Sequence, residues 1–134
     1  MALRYLLDTN ILSHLTHDPA GPVAARLAAV GERAVATSII VACELRFGVE
    51  KKGSTRLAAR VAQILAAIEI LPLGRDVDRH YASIRMDLER RGQLIGAHDL
   101  LLAAHARALG LCLVTNNLRE FERVAGLPVE NWLA

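Results

Sequence analysis

Short apolar runs recur along this chain, each followed by a longer stretch with a different rhythm. The runs lie at Leu3–Leu7, Ala34–Ala36, Ile68–Leu73 and Cys112–Thr115. Each is too short for a stable helix and reads as a buried strand. Between them, apolar residues recur three or four apart, as in residues 57, 61, 64, 65 and 68. That spacing predicts helices at Asn10–Leu15, Val23–Val30, Thr55–Ala67, Asp76–Arg91, Asp99–Leu109 and Leu118–Arg123. A further helix starts after a Thr37-Ser38 cap and runs to about Glu50. Gly31, Gly53, Gly92 and Gly110 stand just past predicted helix ends. A last short strand is expected near Val129. Strands that alternate with helices build a parallel sheet covered on both faces, an α/β class with three layers, α/β/α.

The 134 residues suffice for one domain, 1–134, and no linker, repeat or low-complexity tract divides them. Hydrophobic residues make up 53% and aromatic ones 4%, so the core must come from Leu, Ile, Val and Ala. A net charge of +2 is too small to announce a nucleic-acid binder, though local clusters stay open. Cys43 and Cys112 sit inside apolar runs without a CxxC spacing, which predicts buried free thiols in a reducing compartment. No signal-peptide pattern and no long uninterrupted apolar stretch is present, so a cytoplasmic protein without a membrane span is expected.

The chemistry lies with the acids. Asp8 follows directly on LRYLL, and a carboxylate at a buried strand end must be paired, hydrogen-bonded or near a cation. It also suits the cap of the next helix. Glu44 falls mid-helix in SIIVACELRFGVE, on a stripe with Ile40, Phe47 and Gly48, so it is expected to be paired or functional. Asp99 opens the apolar run DLLLAAHARALG, where it would favour the helix dipole. His98 and His105 flank it without a zinc-ligand spacing. Thr115, Asn116 and Asn117 follow a strand and suit a turn, and Glu120 comes one turn later. In open α/β sheets, ligands bind at the carboxyl ends of the strands. No glycine-rich phosphate loop, GxSxG, HExxH or cysteine cluster competes. Oxygen-rich carboxylate clusters suit Mg²⁺ or Mn²⁺.

These segments, in order, carry a family likeness. LDTNIL, the mid-helix Glu of SIIVACELRFGVEKK and IGAHDLLLAAHARALGLCLVTNNLREFERVAGLPVENW together resemble the PIN domain, and within it the VapC ribonuclease toxins of bacterial toxin–antitoxin pairs. The likeness spans essentially the whole chain. It implies that Asp8 and Asp99 are the principal ligands of Mg²⁺ or Mn²⁺, with Glu44 beside them as ligand or as orienter of a water. Asn116 and Asn117 occupy the positions nearest the family's fourth acid, so that role falls to Glu120, with Asn117 as a polar helper, or to an Asn itself. Thr9, Asn10 and Thr115 would hydrogen-bond the carboxylates. Metal-free, such acids should repel, raising one or more pKa values.

The likeness also implies the reaction and the partners. The activity would be endonucleolytic hydrolysis of structured RNA leaving a 5′-phosphate and a 3′-hydroxyl, with transfer RNA, and initiator tRNA in its anticodon loop, the favoured target. A VapB-type antitoxin would wrap the chain, insert a side chain into the acidic pocket and carry the pair to promoter DNA. A homodimer is implied as well, with helices 39–50 and 55–67 the candidate surfaces. Arg46, Lys51, Lys52, Arg90 and Arg91 are the candidate RNA contacts, since no motif of stacked aromatics is visible. The competing readings are a non-catalytic interaction module of the same fold and a phosphotransferase with Asp8 as nucleophile. Asn10 in place of a second acid, and the absence of any lysine after Lys52, weigh against the latter.

Overall fold

The structure is a computed structural model and describes residues 2–133. Five strands form one sheet: β1 (Tyr5–Leu7), β2 (Val35–Ser38), β3 (Glu69–Leu71), β4 (Cys112–Val114) and β5 (Val129–Glu130). Their spatial order is β3-β2-β1-β4-β5, and every pairing is parallel. The helices are α1 (Thr9–His17), α2 (Pro22–Val30), α3 (Ile39–Lys52), α4 (Thr55–Ala67), α5 (Val77–Arg90), α6 (Ala97–Leu109) and α7 (Leu118–Phe121). They flank the sheet, giving the expected three-layer α/β/α arrangement.

Strand burial explains the apolar runs. All residues of β1 and β2 are buried, so both faces of the central strands are covered and no alternation appears. β3 and β5 sit at the edges and are only partly covered. One cluster of buried Leu, Ile, Val and Ala side chains, with Phe121 and Trp132, joins the strands to the helices. Trp132 meets Tyr5 edge-on at 5.2 Å between centroids, and its indole N–H donates to Glu130 Oε1 at 3.0 Å. Arg26 covers its ring and pairs with Glu130, which ties the C-terminal end to α2 and β1.

Chain order creates a switch in the sheet. From β1 the chain moves outward through β2 and β3, then returns to place β4 on the other side of β1. The carboxyl ends of β1 and β4 are aligned, with Leu7 opposite Val114, and the Asp8 N–H donates to the Val114 carbonyl at 2.9 Å. Parallel sheets open a crevice at such a switch.

Several boundaries differ from the sequence expectation. α6 begins at Ala97, with Gly96 as its cap residue, so Asp99 is its third residue and not its opening one. α1 starts at Thr9 and continues to His17, two residues beyond the expected end. The strand expected at Ala34–Ala36 extends to Ser38, and the one expected at Ile68–Leu73 narrows to Glu69–Leu71. α3 and α6 end at Gly53 and Gly110, both left-handed at φ +64° and +69°, where a side chain would be strained.

Ser38 is the hinge between β2 and α3. Its fully buried hydroxyl accepts from the Ile40 N–H at 3.1 Å and lies 2.8 Å from His105 Nδ1. An oxygen accepting at the helix start still has its proton to donate, so the Ser38 hydroxyl can serve the cap and Nδ1 together. Burial holds His105 below the usual histidine range, so the ring is neutral. Ser38→Ala should cost about 2 kcal/mol, combining a lost cap with an unpaired buried imidazole nitrogen. Chemical denaturation of the two proteins measures this, and a cost below about 0.5 kcal/mol would refute the shared role.

Candidate active site

Four carboxylates reach the crevice from four segments. Asp8 follows β1 and is buried at 6% exposure. Its Oδ1 accepts from the Thr9 N–H at 2.6 Å, capping α1, and its Oδ2 accepts from the Thr115 hydroxyl at 2.8 Å. Cap and site residue are therefore the same group, with one oxygen for each task. Burial raises the Asp8 pKa above the ordinary 3.8, the bonds from Thr115 and Thr9 oppose the rise, and Glu44 and Glu120 add to it.

Asp99, half-buried in the first turn of α6, faces the same crevice. Burial pushes its carboxyl up to about 6, with further contributions from the charge of Glu120 and of Asp8, from a hydrogen bond shared with Glu120, and from Glu44. The expected repulsion among metal-free acids is thus present at Asp8 and Asp99.

Glu120 is held by backbone as well as side chain. Its Oε1 accepts from the Gly96 N–H at 3.4 Å, and its other oxygen accepts from the Asn117 amide. The Asn117 N–H donates to the Thr115 hydroxyl at 3.0 Å, and that hydroxyl donates on to Asp8. A continuous hydrogen-bonded chain therefore runs from Asp8 through Thr115 and Asn117 to Glu120, and on to the residue before α6.

Glu44 is paired, as its place on an apolar stripe predicts. Its helix buries Val41, Ala42 and Leu45, whereas Ile40, Glu44 and Phe47 turn outward. Ile40, Glu44 and Gly48 on this stripe are half-buried, and Phe47 is 67% exposed. Glu44 stands at the crevice mouth, accepting from the Thr9 hydroxyl at 3.2 Å, with His98 Nδ1 3.5 Å from its other oxygen. Cys43 shares this outward side and is exposed, while Cys112 is only partly buried. Both are free, but the expectation of two buried thiols fails: Cys43 lies off the inward side of α3 formed by Val41, Ala42 and Leu45, and Cys112 in β4 is only half-covered.

The polar support is also redistributed. Thr9 and Thr115 bond carboxylates as expected. Asn10 does not: its Oδ1 accepts from the Asn116 N–H at 3.2 Å and ties the loop after β4 to α1. Asn116 contributes only that backbone group and is exposed. His98, singled out only as a neighbour of Asp99, lies on the rim against Glu44. His105 points away to Ser38. The Gly96 contact to Glu120 joins distant segments and carried no local signal.

Among the described residues, no group of three or more His, Cys, Asp or Glu side chains converges as it stands on a common ion position. The donor set is nevertheless all carboxylate oxygen, and Mg²⁺ characteristically binds through one or two carboxylates and completes its shell with water. Asp8 and Asp99, joined by Glu44 or Glu120, fit that demand.

The charge crowding predicts a pH signature. Asp99 binds its proton more tightly folded than unfolded, so its contribution favours the fold at low pH and is lost as pH rises from about 4 through about 6. In metal-free buffer, Asp99→Asn should gain about 1–2 kcal/mol relative to wild type between pH 4 and pH 7, a partly solvated share of a two-unit shift. Paired thermal melts across that range check it, and a difference independent of pH would refute it.

Comparison with known proteins places this geometry. The PIN domain family model matches residues 5–127. Ribonuclease VapC2 of Haemophilus influenzae is 39% identical, over 98% of this chain and 99% of its own length. The tRNA(fMet)-specific endonuclease VapC of Shigella flexneri is 35% identical, over 97% and 98%. A chain in the crystal structure of VapBC2 from Rickettsia felis, bound to a promoter DNA fragment, matches with a TM-score of 0.88 at 34% identity, covering 98% of this chain and 99% of that one. A chain of DNA-bound VapBC from Salmonella typhimurium gives 0.86 at 32% identity, covering 97% and 98%. The chain described here belongs to the PIN-domain family and, within it, to the VapC ribonucleases.

Proposed function

We propose that this chain is the ribonuclease toxin of a toxin–antitoxin pair, acting in the cytoplasm and cleaving structured RNA by metal-dependent hydrolysis. The observation that carries this reading is that Asp8, Asp99, Glu120 and Glu44 face one crevice at the sheet switch, where burial, with the neighbouring acid charges adding to it, pushes Asp99 up to about 6. Acids held together at such a cost suit a site that meets a cation.

In this reading Asp8 and Asp99 would hold Mg²⁺ or Mn²⁺, with Glu44 at the mouth as a further ligand or as the orienter of a water. A bound cation would acidify the attacking water and offset the charge that builds on the phosphodiester during in-line displacement. The chain's own groups do the rest. Thr115 and the Thr9 N–H fix the Asp8 carboxylate, so it need not reorganise during reaction. Thr9 likewise steadies Glu44 through its hydroxyl. Glu120, anchored by Asn117 and Gly96, is placed to accept a proton from water. Arg46, Lys51, Lys52, Arg90 and Arg91 are all exposed and available to RNA phosphates, although Arg91 is already paired with Asp87 at 2.8 Å.

Relatives named tRNA(fMet)-specific endonucleases make initiator tRNA the favoured substrate. Relatives solved as VapBC complexes on DNA make a VapB-type antitoxin the expected partner, with promoter contact made through that partner. A basic antitoxin side chain would find its counter-charge in the acidic crevice. No helix among the described residues is long and apolar enough to cross a membrane.

Purified chain free of antitoxin should cut total tRNA with Mg²⁺ or Mn²⁺ and stop cutting in EDTA. Asp99→Asn should lower the rate by about 10²–10³ while the protein stays folded. Sequencing the new ends names the substrate. Intact tRNA and ribosomal RNA in a folded, metal-replete sample would refute the nuclease reading in favour of an interaction module.

A further inference from the structure

Glu44 and Asp99 reach the crevice on two different helices, α3 and α6, so their separation is set by how these helices pack. Polar contacts join the pair at two levels. At the mouth, His98 Nδ1 lies 3.5 Å from Glu44 Oε1. Deeper, His105 Nδ1 lies 2.8 Å from the hydroxyl of Ser38, the cap of α3. The later residue of α3 meets the earlier residue of α6, so the helices run past one another in opposite directions. Glu44 stands six residues after Ser38, and Asp99 stands six residues before His105. At 1.5 Å per residue each arm is about 9 Å long. We propose that the His105–Ser38 pair is a positioning pin for the cation site, which sets Glu44 level with Asp99 by fixing the register of α3 against α6. The proposal rests on the ribonuclease reading above and gives His105 a positioning task in it, away from cation and RNA.

The deeper contact is the one able to hold a register. The His98 side chain is 72% exposed, so its contact with Glu44 is open to water and weak. Val41 and Leu102 lie in the common core, but apolar attraction has no direction and fixes a slide less sharply than a hydrogen bond. Ser38 and His105 are both buried, where a hydrogen bond is stronger than in water. The choice of side chain points the same way. His105 Nε2 is buried and makes no hydrogen bond among the described residues, although the Pro72 backbone is near enough to favour a proton on the ring. A phenyl ring would fill this space without orphaning a nitrogen, so the bond to Ser38 is what the imidazole adds. The pin is also tied to the third acid. Thr37, one residue before Ser38, donates to the Leu7 carbonyl at 2.7 Å, one residue before Asp8. A buried polar track therefore runs from α6 through the end of β2 to the strand end that carries Asp8. Among the described residues the acids stop short of a common ion position, so any slide of α3 along α6 adds to the rearrangement that binding must drive.

The test uses the full chain without RNA and reads Mn²⁺ binding from the paramagnetic resonance signal of the free ion. His105→Phe keeps a ring and loses the hydrogen bond. It should stay folded and bind Mn²⁺ roughly five- to fiftyfold more weakly than wild type. His105→Asn keeps a polar group where Nδ1 stands and should recover affinity to within about threefold of wild type. Ser38→Ala should weaken binding as His105→Phe does, and the double variant should be no weaker than either alone, because the two residues act as one unit. Val23→Ala truncates a buried side chain in α2, so it lowers stability without touching the pin and should bind Mn²⁺ as wild type does. In tRNA cleavage, His105→Phe should need more Mg²⁺ for half its maximal rate while KM for RNA is unchanged. If His105→Phe does not fold, Ser38→Ala carries the same readings. Mn²⁺ affinity within about twofold of wild type in the folded variant overturns the pin. So do losses that add in the double variant, or an equal loss in Val23→Ala, which would make the effect one of stability alone. Wild type that binds no Mn²⁺ sinks the pin together with the metal part of the nuclease reading. Wild type that binds Mn²⁺ but cuts no RNA, with affinity lost in His105→Phe, upholds the pin and sinks the nuclease reading instead.

Discussion

The hydrogen bond from Thr115 to Asp8 holds the rest of the site in place. It crosses from the end of β4 to the end of β1, the two strands that meet at the switch. One oxygen of Asp8 caps α1, so the same carboxylate orients the helix that carries Thr9 to Glu44. The other oxygen passes through Thr115 and Asn117 to Glu120. An unpaired carboxylate at this depth would be expensive. Here two donors reduce the expense without cancelling it, and Asp8 still resists ionisation. The apolar residues of β1 and β4 supply the stability that lets the site keep this strain.

How much of this was legible in the sequence depends on whether local pattern or tertiary contact decided the matter. The parallel sheet was legible because β1 and β2 are buried on both faces and read as unbroken apolar runs. The helix at Thr55–Ala67 was legible because its inward positions, Val61 and Leu65, repeat at helical spacing. Asp8, Glu44 and Asp99 stood out as acids in apolar surroundings, and all three do reach one crevice. Asn10 was misassigned because its partner, the Asn116 backbone, comes from a loop more than a hundred residues away. The same limit hid the bond from Gly96 to Glu120. Cys43 was misread for a different reason. Periodicity finds the apolar side of a helix but cannot say whether that side meets the core.

That ambiguity on α3 has a functional sense. Val41, Ala42 and Leu45 anchor the helix inward, and the Ser38 cap with neutral His105 fixes its start. The outward side is thereby free to carry apolar residues that folding does not require. A helix with apolar groups on both sides gains no stability from the outer set, so Ile40, Cys43 and Phe47 at the surface call for another cause.

Charge placement divides the labour further. The crevice concentrates acids from β1, α3, α6 and the segment after β4, while the exposed Arg and Lys side chains of α3 stand outside it. A polyanion such as RNA is repelled by the crevice alone and attracted by its rim. In the nuclease reading, productive approach would therefore combine a cation between the acids with the exposed Arg and Lys contacts at the rim.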